Sequence, residues 1–257
     1  MMRMAGLLEV CADSVCSAVN AARGGADRIE LCSALPLGGL SPDEDLFCMV
    51  RERVDIPVRV LLRPRAGDFL YDEDEFELLC RQASRFAGLG ADGIVIGMLN
   101  PDGTLDTERM SALMTCGDGC GVTLHRAFDV CCDAYEALRT AKKLGVDTIL
   151  TSGQQARCAD GAPLLRELVS ESGEGLRILI GGGVNADVIR ALAPQTGADA
   201  FHLSAKTAVP SGMEFRRENV PMGIPGLNEF ELLRCDAASV RAAREALDAV
   251  CTARKEN

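Results

Sequence analysis

The stretch GGADRIELC, residues 24–32, reads as a helix end, a turn and a buried strand in nine residues. Its glycines suit the left-handed conformation that terminates a helix. Asp27 then turns the chain into RIELC, whose residues alternate between two faces. The same phrase returns as LGADGIVIG (89–97), LGVDTILTS (144–152) and TGADAFHLS (196–204), with Asp92, Asp147 and Asp199 in the place of Asp27. The motif therefore marks every second strand of a longer series.

That series has eight strand candidates: 7–11, 28–32, 58–63, 93–97, 121–125, 148–151, 177–181 and 200–204. Amphipathic stretches such as FELLCRQASRFAGL (76–89) and AYEALRTAKKLG (134–145) lie between them. Strands alternating with helices predict βα units and a parallel sheet. A motif before the second, fourth, sixth and eighth strands gives a period of two units, repeated four times. Eight units close a barrel, so the expected fold is α/β, a single (β/α)8 TIM barrel over residues 1–257. A doubly wound open sheet is the competitor, but it lacks the G-x-G-x-x-G fingerprint after the first strand. Residues 205–235, with several Pro and Gly, form an expected long loop after the eighth strand, acting as lid, binding loop or interface segment. A final helix over 236–251, capped by Asp236, completes the ring.

Composition narrows the function. The 257 residues carry a net charge of −11, and no basic run exceeds the pairs Lys142-Lys143 and Arg216-Arg217. Nucleic acid, which needs a positive footprint, is not an expected partner. With two Tyr, eight Phe and no Trp, little surface is available for stacking on bases. The opening MMRMAGLLEV has no signal-peptide core, and no run reaches the length of a membrane helix. A cytoplasmic location without membrane association is expected, and the twelve cysteines then read as free thiols. Cys116 with Cys120, and Cys131 with Cys132, lack zinc-site spacing.

TIM-barrel sites lie at the carboxyl ends of the strands. Those ends carry Glu9 and Cys11, Glu30 and Cys32, Arg63 and Arg65, His125, Arg126 and Asp129, Thr151 and Ser152, the GGGV run 181–184, and His202 and Ser204. Both histidines of the chain fall there. Carboxylates, arginines and imidazoles around one mouth make that end of the interior polar. Two readings stay open: direct ligand contact, or a structural ring in which Arg63 and Arg65 neutralise Glu9 and Glu30. Gly182, Gly183 and Ser204 stand where this fold holds phosphate, although a glycine run also makes a tight turn. Cys11 and Cys32, on adjacent strands, offer two thiolates to one soft ion or pack as buried apolar groups.

The motifs EVCADS, GGADRIELCSALPLGG, RPRAGDFLY, GADGIVIGMLNPDGTLD, HRAFDV, ILTSG, GGGV and FHLSA together resemble the CutC copper-homeostasis family over nearly the full length. The resemblance implies a cytoplasmic barrel, a homodimer and a role in copper handling, with Cys11 and Cys32 at the positions proposed to hold Cu(I). One departure is Cys16, where the family has a small or acidic residue. Two function classes follow. One is a copper-binding protein using Cys11 and Cys32. The other is an enzyme of isomerase, epimerase or lyase type acting on a small phosphorylated or carboxylated metabolite. In it, Arg63, Arg65, Gly182, Gly183 and Ser204 bind the anion while Glu9, Glu30, His125 and His202 exchange protons. No lysine lies within a strand, and Lys206 falls just beyond the last, which disfavours a Schiff-base aldolase.

Overall fold

The computed structural model describes residues 6–217, 220, 223–224 and 228–256. Eight parallel strands close into a barrel in sequence order, and the first pairs with the eighth. In chain order they are β1 (Leu7–Ala12), β2 (Arg28–Leu31), β3 (Val58–Leu61), β4 (Gly93–Ile96), β5 (Gly121–Leu124), β6 (Thr148–Thr151), β7 (Arg177–Ile180) and β8 (Ala200–Leu203). The helices are α1 (Val15–Gly24), α2 (Glu44–Arg51), α3 (Glu73–Gly88), α4 (Thr107–Cys116), α5 (Ala134–Leu144), α6 (Ala162–Ser172), α7 (Ala186–Thr196) and α8 (Ala237–Glu256). Among the described residues no helix is long and apolar enough to cross a membrane.

Most strands stop one or two residues before the ends expected from the sequence. The residues left over, such as Cys32, Arg63, His125 and Ser204, begin the loops that build the mouth. Outward strand positions, including Val10, Ile29, Val60, Ile94 and Phe201, pack under the helices in one continuous core. The barrel interior holds two small apolar clusters, Cys32 with Leu61 and Val95, and Leu150 with Leu179 and Ala200. Polar side chains fill much of the remainder.

The repeated glycine–aspartate motif has a defined mechanical role. Gly25, Gly90, Gly145 and Gly197 all adopt positive φ, the region that costs other residues steric strain. The following aspartates reach back across the sheet. Asp27 accepts from the Leu8 amide at 2.6 Å, Asp92 from Val58 at 2.8 Å and Asp147 from Val122 at 2.7 Å. Each carboxylate thus ties the start of an even strand to the start of the odd strand before it. Asp199 departs from this pattern and meets Arg177 at 3.6 Å. Inside the amino end, Arg59 donates to Asp147 at 2.7 Å and to Thr123 at 2.7 Å, plugging the bottom of the barrel.

The segment 205–235 corrects an expectation, because its two ends are not irregular. They pair as an antiparallel hairpin of β9 (Lys206–Pro210) and β10 (Glu231–Cys235), from Lys206 opposite Cys235 to Pro210 opposite Glu231. KTAVP and ELLRC are short β-prone runs, and the Pro and Gly between them masked that signal. Residues 218–219, 221–222 and 225–227 of the expected loop lie outside the described residues. The last helix begins after Asp236, which caps it by accepting from the Ser239 amide at 2.9 Å.

Candidate functional site at the carboxyl mouth

Strand register builds the site as a staircase. Glu9 on β1 stands opposite Arg28 on β2 and His202 on β8. One step higher, Cys11 stands opposite Glu30, and Cys32 follows beyond the end of β2. The three side chains of the lower step join. Glu9, fully buried, accepts from Arg28 Nε at 2.5 Å and meets His202 Nδ1 at 2.7 Å. In the structural-ring reading Arg63 and Arg65 would neutralise Glu9, but neither pairs with it. Arg28 does this, because parity along β2 puts Arg28, Glu30 and Cys32 on the same inner face. That parity was legible in DRIELC; the register that set Arg28 beside Glu9 was not.

Above this layer opens a cavity of about 340 Å³. Cys11, Glu30, Cys32, Arg63, His125 and His202 all line it, as do Gly182, Gly183, Ser204 and Lys206. Two expected members do not. Glu9 is sealed beneath the floor and reaches the cavity only through His202, so it positions that imidazole instead of meeting a ligand. Arg65 turns outward and pairs with Glu75 at 2.5 Å and Asp68 at 3.0 Å. It lies in the loop after β3, where alternation between faces has lapsed. Asp129 is likewise occupied: it accepts from Thr151 Oγ1 at 2.5 Å and from Arg126 at 2.7 Å, locking the end of β6. Gly182 and Gly183 flank the cavity, but Asn185 already accepts from the Asp187 and Val188 amides at the start of α7. That helix end is a weaker anion site than the glycine run suggested.

The electrostatics follow from burial and these pairs. Burial alone would raise the Glu9 carboxyl, but the charge of Arg28 and the bond and charge of His202 bring it down to about 2. Glu30 has no such partner. Burial, reinforced by the charge of Glu9, lifts it to about 7 against the opposing pull of His202 and Arg28. Burial works against an imidazolium at His202, yet its interactions with Cys11 and Glu30 and its hydrogen bond to Glu9 push it well above its ordinary value. Burial raises the Cys32 thiol well above the usual range, and Cys11 and Glu30 add to the rise.

His125 is the opposite case. Burial, and then the charge of Arg63, lower it to about 3, so its ring is neutral. The ring Nδ1 accepts from the Ala127 amide at 3.1 Å, which places the proton on Nε2. Gly97 makes room for this ring, since a Cβ there would stand 2.6 Å from its atoms. Phe69, not foreseen from the sequence, lies against His125 at 4.8 Å between centroids and under Arg63 at 5.1 Å. It enters from the loop after β3, at a position that strand-end reasoning does not sample.

Glu9, Glu30 and His202 also bring three ligand atoms within 4.8 Å of one another, a spacing a metal could use. Both Glu9 oxygens are already engaged, and the Arg28 guanidinium beside them repels a cation. This trio is therefore a poor metal site, and the thiols of Cys11 and Cys32 are the softer donors.

The profile of the CutC family matches residues 6–207. The human copper homeostasis protein cutC homolog is 43% identical over 237 residues, covering 91% of this chain and 86% of the human one. A family protein CutC of Bacteroides fragilis is 45% identical over 218 residues, covering 84% and 87%. The crystal structure of a CutC copper homeostasis protein from Streptococcus agalactiae superposes with a TM-score of 0.73 at 27% identity, covering 77% of this chain and 98% of that one. With a barrel of this topology and relatives of this identity over most of its length, the chain belongs to the CutC family.

Proposed function

We propose that the protein handles copper by binding Cu(I) at the barrel mouth through Cys11 and Cys32. The observation that carries this reading is that both thiols, from adjacent strands, line one cavity. Thiolates are the soft ligands Cu(I) prefers, and two suffice for it. A bis-thiolate Cu(I) complex carries a net negative charge. His202 and Lys206, which line the same cavity, offset that charge. The twelve cysteines are all free, which suits a reducing compartment such as the cytoplasm. In anaerobic competition titrations with a Cu(I) chelator, about one ion per chain is expected for the wild type. None is expected for a folded Cys11→Ser, Cys32→Ser double variant. Undiminished stoichiometry in that variant would assign copper to other thiols and end the reading.

A homodimer is part of the same proposal, with the β9–β10 hairpin as the subunit contact. The hairpin strands expose Val209 and Leu232, and the connection between them exposes Met213 and Phe215, apolar side chains suited to a protein contact. A Met213→Ser, Phe215→Ser variant should sediment at half the wild-type mass with its melting temperature little changed. Identical masses for the two proteins would remove the hairpin from the interface.

A further inference from the structure

Three side chains in the wall of the mouth each keep one buried polar atom without a hydrogen-bond partner: Nε of Arg63, Nε2 of His125 and Oε2 of Glu30. They are, respectively, 9%, 4% and 6% exposed. Buried polar atoms are almost always paired, and three orphans around one cavity are unusual. Copper on the thiols would leave all three as they are.

Arg63 is the most telling. Among the described residues no carboxylate pairs with it. Its guanidinium is held by backbone carbonyls alone, Nη1 donating to Leu37 and Gly39 at 3.2 Å each and Nη2 to Gly67 at 2.8 Å. Phe69 covers one face of the plane. The cation is fixed in position while its charge stays uncompensated, which is costly in a buried place. His125 stands across Phe69 as a neutral ring presenting an N–H. Lys206, at the rim, has no ion pair among the described residues and adds a second positive charge. A protein of net charge −11 thus concentrates cations and bare donors at one opening. Apolar walls from Leu61, Leu150, Val184 and Leu203 shape the remaining space, and about 340 Å³ lies at the small end of ligand sites.

We propose that the mouth is a receptor for a small organic anion carrying a hydroxyl group. Arg63 and the His125 N–H take the oxyanion, and Oε2 of Glu30 takes the hydroxyl. Both anion donors have a fixed orientation before the ligand arrives, Arg63 through three carbonyls and His125 through Ala127, so little entropy is lost in ordering them. A carboxylate and a phosphate share the chemistry that Arg63 and His125 recognise, and glycolate and inorganic phosphate serve as separate probes of the two. Ethylene glycol, the size of glycolate but uncharged, is the neutral control.

The expected result from calorimetry on the full chain is saturable binding of at least one anion with a Kd of about a millimolar or tighter. Ethylene glycol should give none at the same concentrations. Arg63→Met and His125→Phe, tested separately, should each weaken the binding about tenfold or more. If Arg63→Met does not fold, Arg63→Lys is read instead, since it keeps the charge and loses the planar fork. The titrations use copper-free protein, so anion binding there separates this site from the copper reading. Absence of saturable binding of either anion to the wild type at about 20 mM overturns the proposal. Affinity unchanged by both the Arg63 and the His125 substitutions overturns it equally.

Discussion

Replacing Arg28 with Met is expected to destabilise the protein by about 3–5 kcal/mol, the range for removing one partner of a buried ion pair. Glu9 has no solvent exposure, and the side chain of Arg28 keeps about a tenth of its own. Without Arg28, a carboxylate in the barrel interior would rely on His202 alone. Arg28 already leaves Nη2 without a partner, and losing that unsatisfied donor pulls the figure toward the lower end. The double variant Glu9→Gln, Arg28→Met should cost clearly less than the sum of the single changes, because neither charge is then stranded. Urea denaturation at neutral pH measures all three. A loss below about 1 kcal/mol for Arg28→Met would show that His202 neutralises Glu9 unaided.

Glu30→Gln should stabilise the protein at pH 8, by up to about 3 kcal/mol, and have almost no effect near pH 4.5. The sign follows from a folded-state value raised to about 7 against an ordinary 4.5. Between those two values the unfolded chain releases the Glu30 proton while the folded barrel retains it. Raising the pH therefore favours unfolding until about 7, where the penalty levels off. Gln is neutral at every pH and carries no such penalty. Part of the gain is offset, because the charge of Glu30 also helps keep His202 protonated.

The other two groups act in different windows. Glu9, depressed to about 2, contributes stability that is present above about pH 4.5 and lost as the pH falls through about 2. His202, raised well above 6.5, contributes stability that is present below about 6.5 and lost only as the pH climbs through its raised value. Melting curves of wild type and Glu30→Gln between pH 4.5 and 8 isolate the Glu30 contribution. Parallel curves with a constant offset would show that Glu30 is not titrating from a buried position.

The barrel is legible in the sequence because its signals are local. A glycine with positive φ, an aspartate and a four-residue apolar strand occupy adjacent positions, and a phrase repeated four times survives error in any single instance. Inner-face parity is equally local, so alternation along each strand is enough to assign Glu30, Cys11, Cys32, His125 and His202 to one end of the interior. Resemblance then supplies the family. What lies beyond the reach of sequence is the relative height of neighbouring strands. Arg28 and Glu9 are nineteen residues apart in the chain, and only the β1–β2 register makes them partners. The same register sinks Glu9 below the cavity floor while leaving Glu30 at its edge, giving two similar carboxylates values near 2 and near 7. Several residues past the strand ends parity lapses, so Arg65 turns outward and Phe69 turns in. Local chemistry determined the barrel and the polarity of its mouth. Tertiary structure alone decided which charges are paired, because pairing across a sheet depends on stagger, which no single strand encodes.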